Sequence, residues 1–255
     1  PRGRDLVKTA LMGVLVFAVG PRIQVFAVNL GKAGDSAVVV AIEPLITAVA
    51  AALFLREHVP ARRWLGFLIG MFGVVILNGA WRLDLNWTTL AANVIFISSF
   101  ICESAYSVIG KPLLERANPL KIVAISLILG TVLNLLWGSI ETAVTGRESP
   151  WTSLRQLPVT VWLTLLFLAV ICTVVGYTLW YIVIRQSDVS LAALTILVQP
   201  VFGVAIAAWF LGESVHWGQL WGMAVIVAGL ACGLTLSVGN TRRKPDPHKP
   251  EAFSA

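Results

Sequence analysis

Apolar runs of about 20 residues recur along almost the whole of the 255-residue chain, and a run of that length is what a helix needs to cross a bilayer. Bounded by charges, prolines and turn clusters, eight windows stand out, at about 9–29, 36–55, 62–80, 88–109, 120–141, 158–181, 189–211 and 216–238. Helices are expected because lipid-exposed backbone must find its hydrogen bonds within its own segment. A β-barrel would show alternating segments of about ten residues, and the sequence has none. Only 13% of the residues are charged, about half the share of a soluble domain. The predicted fold class is therefore an all-α polytopic membrane protein with about eight transmembrane helices. Cys102, Cys172 and Cys232 stand isolated in apolar segments, which excludes a disulfide-stapled secreted fold.

Short-loop cations set the orientation of such a chain. One side carries Arg2, Arg4, Lys8, Arg56, Arg62, Arg63, Lys111, Arg116, Lys121, Arg185, Arg242, Arg243, Lys244 and Lys249; the other carries Lys32, Arg82, Arg147 and Arg155. The bias predicts a multi-pass protein of the cell membrane (the inner membrane where there are two) with both termini cytoplasmic. It also explains the net charge of +6 as a topology signal, so no nucleic-acid partner is expected. Residues 239–255 form a polar, Pro-rich tail expected to be disordered. Residues 1–20 resemble a signal peptide, but the repeat described next runs through them. Pro1, in place of an initiator Met, points to a missing beginning.

Shifting the sequence on itself by 156 residues aligns IEPLITAVAAALFLREHV (42–59) with VQPVFGVAIAAWFLGESV (198–215) without a gap. Pro44 meets Pro200, Ala51-Ala52 meet Ala207-Ala208, Phe54-Leu55 meet Phe210-Leu211, and Glu57 meets Glu213. Gly20, Ala37, Val59, Gly66 and Gly73 meet Gly176, Ala193, Val215, Gly222 and Gly229. Unrelated apolar helices would share Leu, Val and Ala rather than Pro, Glu and Gly in register. Five spans separate the copies, so they are expected to cross the membrane in opposite directions. Such inverted repeats bind solute near midplane, where interrupted helices meet; here the interruptions are Glu43-Pro44 and Gln199-Pro200, and Pro frees a carbonyl one turn back.

The Pro-containing helix, the Leu-x-Glu turn and the Gly-spaced helix that follows, LREHVPARRWLGFLIGMFGVVIL and LGESVHWGQLWGMAVIVAGLACGL, resemble the EamA-type repeat of the drug/metabolite transporter superfamily. The resemblance covers about residues 9–238. It implies ten helices in two inverted five-helix repeats, of which this sequence matches the last three of the first and all five of the second. The expected division is 1–81 as a partial first repeat, 82–238 as the second and 239–255 as the tail, with two N-terminal helices absent.

Three charges lie inside spans, each costing about 2.5–3.5 kcal/mol at a helix centre. Glu43 sits about two turns into its helix; Glu103 lies near the inner end of its span and shares a face with Ser99 and Tyr106; Arg22 follows Gly20-Pro21. They either face an aqueous cavity, where a carboxylate binds a cation or carries a proton, or form a buried pair such as Arg22 with Glu43 or Glu103. Further polar stripes comprise Thr173, Tyr177 and Tyr181 with Trp180 beside them, Asn134 with Ser126 and Gly130, and Thr195, Gln199 and Gly203. They suit either a cavity wall for a small amphipathic solute or interfacial belts and interhelical hydrogen bonds. The candidate substrate-binding set is Glu43, Pro44, Glu103, Tyr106, Tyr177, Trp180, Tyr181, Gln199, Pro200, Asn134 and Arg22. Gly66, Gly70, Gly73, Gly218, Gly222, Gly229 and Gly233 are assigned to close helix packing, Glu57 and Glu213 to tight turns, and Arg56, Arg62 and Arg63 to topology.

The expected function is a secondary transporter, exporting a small metabolite by alternating access between the two halves. Its partners would be a small-molecule substrate and the lipid bilayer, with a homodimer allowed. There is no phosphate loop for primary energy, no H-E-x-x-H and no G-x-S-x-G, so an intramembrane enzyme is disfavoured and neither cofactor nor metal is implied. A truncated, non-transporting fragment or an assembly subunit is the alternative.

Overall fold

The computed structural model describes residues 3–31, 39–79, 87–146 and 157–234, together with Thr152 and Leu154. The expected tail, Ala37 and the loop cations Arg2, Lys32, Arg82, Arg147 and Arg155 lie outside the described residues. Among those described, every regular element is helical. In chain order these are α1 (Arg4–Leu30), α2 (Val40–Phe54), α3 (Ala61–Leu77), α4 (Trp87–Leu113), α5 (Pro119–Thr145), α6 (Val159–Gln186), α7 (Val189–Leu211) and α8 (Trp217–Leu234). Six of them, α1 and α4 to α8, are long and apolar enough to cross a bilayer; α2 is a shorter apolar helix and α3 has 17 residues. The chain is a multi-pass membrane protein.

Local chemistry sets the ends. Asn118 caps α5 by accepting from the Leu120 N–H at 2.9 Å, with Pro119 in the first turn, where its missing N–H is harmless. The α7 chain leaves through Gly212 at φ 67°, a left-handed conformation that costs glycine little. Two helices are not uniform. α1 winds as a π-helix over Leu15–Val19 and α6 over Leu168–Val175. α7 breaks at Leu197-Val198 and restarts at Gln199, as α2 passes from a 3-10 turn into α-helix at Glu43. Pro44 and Pro200 thus open helical segments rather than kinking a continuous helix.

The 156-residue offset found in the sequence recurs in the backbone. The π stretches end at Val19 and Val175, the Pro-led segments begin at Glu43 and Gln199, and α3 and α8 begin at Ala61 and Trp217. Arg56, at φ 54°, takes the left-handed turn that Gly212 takes 156 residues later.

α3 and α8 make the most extensive helix pair, and glycine is the reason. A Cβ on Gly66 would stand 2.8 Å from the Gly229 carbonyl oxygen, one on Gly73 2.7 Å from the Ile226 nitrogen, and one on Gly229 2.6 Å from the Gly70 nitrogen. Gly218 departs from the expectation: it faces open space, so it makes no close approach. α1 packs on α4 and α5, and α2 lies between α4 and α7. By contrast, no residue of α6 from Val159 to Val175 is buried. Large apolar side chains such as Trp209, Phe210 and Trp217 point outward, as lipid solvation favours.

One end of the bundle is tied by charge. The Glu57 carboxylate accepts from Lys111 Nζ at 2.7 Å and from the Val189 and Ser190 N–H groups at 2.9 and 3.1 Å, so it caps the start of α7. Burial alone would push its pKa up, but the Lys111 ammonium and the two N–H groups outweigh that and hold it below the usual carboxylate value. Beside it Arg63, 4% exposed, donates to Asp188 at 3.3 Å and Ser190 at 2.7 Å. Arg63 is therefore not simply topogenic: it and Glu57 join the α2–α3 turn to the α6–α7 turn.

Candidate functional site

A cavity of about 290 Å³ opens where α1, α2, α4, α6 and α7 converge, and it gathers six of the sequence candidates: Glu43, Glu103, Tyr106, Tyr177, Trp180 and Gln199. Glu43 enters at the first turn of the α-helical part of α2, and Thr47, one turn on, follows it onto the wall. Glu103 lies well inside α4, ten residues before its end at Leu113, with Tyr106 and Ser107 on the same face. The π stretches contribute Val16 from α1 and Cys172 from α6, and Gly176 follows. A π turn often marks a functional site because it re-aims side chains without giving up the hydrogen-bond ladder.

The two carboxyl groups are hydrogen-bonded to each other. An ionised carboxylate is acceptor-only, so that contact holds one proton between them. Glu103 also accepts from Gln24 Nε2 at 2.6 Å. The opposite wall is aromatic. Tyr106 packs edge-on to Tyr177 with centroids 5.0 Å apart, and Phe17 closes against Tyr177 at 4.9 Å. Trp180 is fixed by donating from Nε1 to Ser107 Oγ at 2.9 Å.

Tyr181 is not on the wall. Its ring stacks behind Tyr106 at 4.4 Å, fully buried, and its hydroxyl turns to Met12 Sδ at 3.4 Å and to the Tyr106 carbonyl at 3.2 Å. The Tyr106 hydroxyl is left buried without a hydrogen-bond partner.

Pro44 and Pro200 come together in a second cavity, of about 370 Å³, which Val74 and Asn78 of the α3 end also line. Ile196 and Gln199 line both cavities, so the two adjoin at the break in α7. Asn134 and Arg22 sit elsewhere. Arg22 donates to Asn134 Oδ1 at 3.2 Å and to Glu141 at 3.2 Å, with its guanidinium 4.8 Å over the Trp137 ring. Asn134 in turn donates to the carbonyls of Phe17 and Gly130. The pairing of Arg22 with Glu43 or Glu103 is thus replaced by one with Glu141, on the adjacent face of α5. Gln24, Thr47, Ser107 and Cys172 were not singled out from the sequence. Thr47 and Ser107 follow Glu43 and Glu103 at i+4, a spacing that could have found them.

Comparison with known proteins places this architecture. The model of the EamA-like transporter family matches residues 1–79 and 90–235. The chain belongs to the EamA-like transporter family. This EamA-like chain is 24% identical over 231 residues to an uncharacterized transporter of Archaeoglobus fulgidus, covering 89% of the chain and 77% of that relative. With transporter YyaM of Bacillus subtilis it shares 24% over 77% of the chain, spanning 62% of that protein's length. A protein of Streptantibioticus cattleyicolor named as a probable terminal-alkyne amino-acid exporter is 28% identical, over 97% of the chain and 79% of its own length. A solved crystal structure superposes with a TM-score of 0.69 at 18% identity, covering 92% and 90% of the two chains, a likeness of fold. These names are those of transporters, not enzymes.

Proposed function

We propose that this EamA-like protein is a secondary transporter that exports a small metabolite by alternating access, with the Glu43–Glu103 cavity as its solute site. The observation that carries the reading is the convergence of six polar and aromatic candidates from α2, α4, α6 and α7 on one cavity deep in an apolar bundle. Intramembrane charge is expensive, and a solute path is a common reason to retain it. The sequence repeat and its matching backbone breaks at Glu43 and Gln199 support two inverted halves that rock about the site. Loop charge supports cytoplasmic termini. The relatives named as amino-acid exporters make amino-acid-like solutes the first to test.

The test is solute flux in proteoliposomes. Flux above protein-free vesicles is expected for the wild type, with a loss of about tenfold or more in Glu103→Gln and Glu43→Gln. Wild-type flux in both variants would remove the carboxylates from the site, and termini tagged on opposite faces of the membrane would remove the inverted-repeat mechanism.

A further inference from the structure

We propose that the Glu43–Glu103 pair is an exchange site at which a protonated amine displaces a proton, while the Tyr106 hydroxyl hydrogen-bonds a second polar group on the same solute. The assignment rests on reading the cavity as the transport site and names the chemistry of what it carries.

Three observations carry it. First, the two carboxyls bond each other rather than a cation: among the described residues neither is in an ion pair, and Arg22, the intramembrane cation on neighbouring α1, is engaged by Asn134 and Glu141. A second acid is a poor companion for an ionised one, so the pair retains one proton until something positive replaces it. Second, the Tyr106 hydroxyl is buried and unpartnered on a residue that lines the same cavity. Leaving such a group unbonded costs about 1–3 kcal/mol, a cost that a polar solute atom removes. Third, aromatic rings of α4 and α6 face the acids, and their π faces favour an organic cation over a bare ion.

The other groups turned toward the pair are few. Cys102 and Tyr106 share its α4 side, Cys172 and Tyr177 come from α6, and α1 and α7 offer the Gln24 and Gln199 amides. A proton leaving the pair therefore goes to the aqueous phase reached by the cavity, and the net charge of the site is conserved: one ammonium enters and one proton leaves.

The probe is L-phenylalaninamide, an aromatic primary amine with an amide oxygen, compared with neutral N-acetyl-L-phenylalaninamide. Calorimetric titration of the purified full chain in buffers of different ionisation enthalpy counts the protons released. The expected result is about one proton per bound amine, with affinity weakening about tenfold for each pH unit of acidification and no binding of the neutral analogue. Glu43→Gln and Glu103→Gln abolish the release while keeping the wild-type elution profile. Tyr106→Phe weakens binding roughly tenfold, the loss of one buried hydrogen bond, yet still releases the proton. Absence of amine binding, binding without proton release, or equal binding of the neutral analogue overturns the proposal. The wild-type buffer and pH series reads the exchange without any variant. Solute flux that persists alongside proton-free binding removes the exchange and leaves the transport reading standing.

Discussion

Replacing Glu57 by Gln removes one charge from the end of the bundle and changes almost nothing in shape. The carboxylate is 8% exposed and its partner Lys111 26%, so the pair is mostly withdrawn from water. In the variant an amide oxygen can still accept from the Val189 or Ser190 N–H, but the ammonium keeps only the Ser187 carbonyl, at 2.8 Å, as its close partner. Breaking a buried ion pair on one side costs about 3–5 kcal/mol; the water reaching Lys111 and the surviving carbonyl put the loss near the lower figure, about 3 kcal/mol. At about 2–4 °C per kcal/mol for a chain of this size, the melting temperature in detergent micelles falls by roughly 6–12 °C, read from tryptophan fluorescence during a thermal ramp. The folded carboxyl titrates below its unfolded value, so its stabilisation is full above about pH 4.3 and is lost as acid titrates Glu57 in the folded state. The gap between wild type and variant therefore closes on acidification. Glu213→Gln, at the equivalent but exposed position, shifts stability by less than about 0.5 kcal/mol. A Glu57→Gln melting temperature within about 2 °C of wild type would refute the reasoning.

Two further outcomes follow from the glycine and turn geometry. Gly229→Leu drives a side chain into the Gly66–Gly70 backbone and destabilises the fold by more than about 3 kcal/mol, whereas Gly218→Ala meets open space and stabilises by up to about 1 kcal/mol; size-exclusion profiles and melting curves distinguish the two. Arg56→Gly relieves a left-handed residue and raises stability by about 1 kcal/mol, measured by the same thermal ramp; a loss of stability would show that the Arg56 side chain outweighs its backbone strain.

Helix positions were legible in the sequence because membrane spans announce themselves by length and hydropathy alone. Close packing of Gly66, Gly73, Gly222 and Gly229 was legible for a related reason: a stripe without side chains has few other uses in a lipid-facing helix. Partner choice was not. Arg22 reaches Glu141 rather than an acid of the cavity because α1 packs against α5 on that face, and single-chain periodicity carries no information on which helix lies opposite. Tyr181 was grouped with Thr173 and Tyr177 by a spacing of four residues, but Thr173 lies in the π stretch, where its hydroxyl donates to Leu168, five residues back. A ruler of 3.6 residues per turn loses its register across such a segment. Arg63 read as a loop cation because burial of a charge at a helix start depends on Asp188 and Ser190, more than a hundred positions away.

The same widened turns bear on how tolerant this chain is to changes in length. A π turn holds one residue more than an α turn, so deleting a single residue from Leu168–Val175 lets α6 rewind as ordinary helix with its ladder unbroken. The 28-residue span would lose only about 1.5 Å, but everything downstream would swivel by about 100°, carrying Tyr177 and Trp180 off the wall. An indel here would be nearly silent to the bilayer and ruinous to the binding chamber.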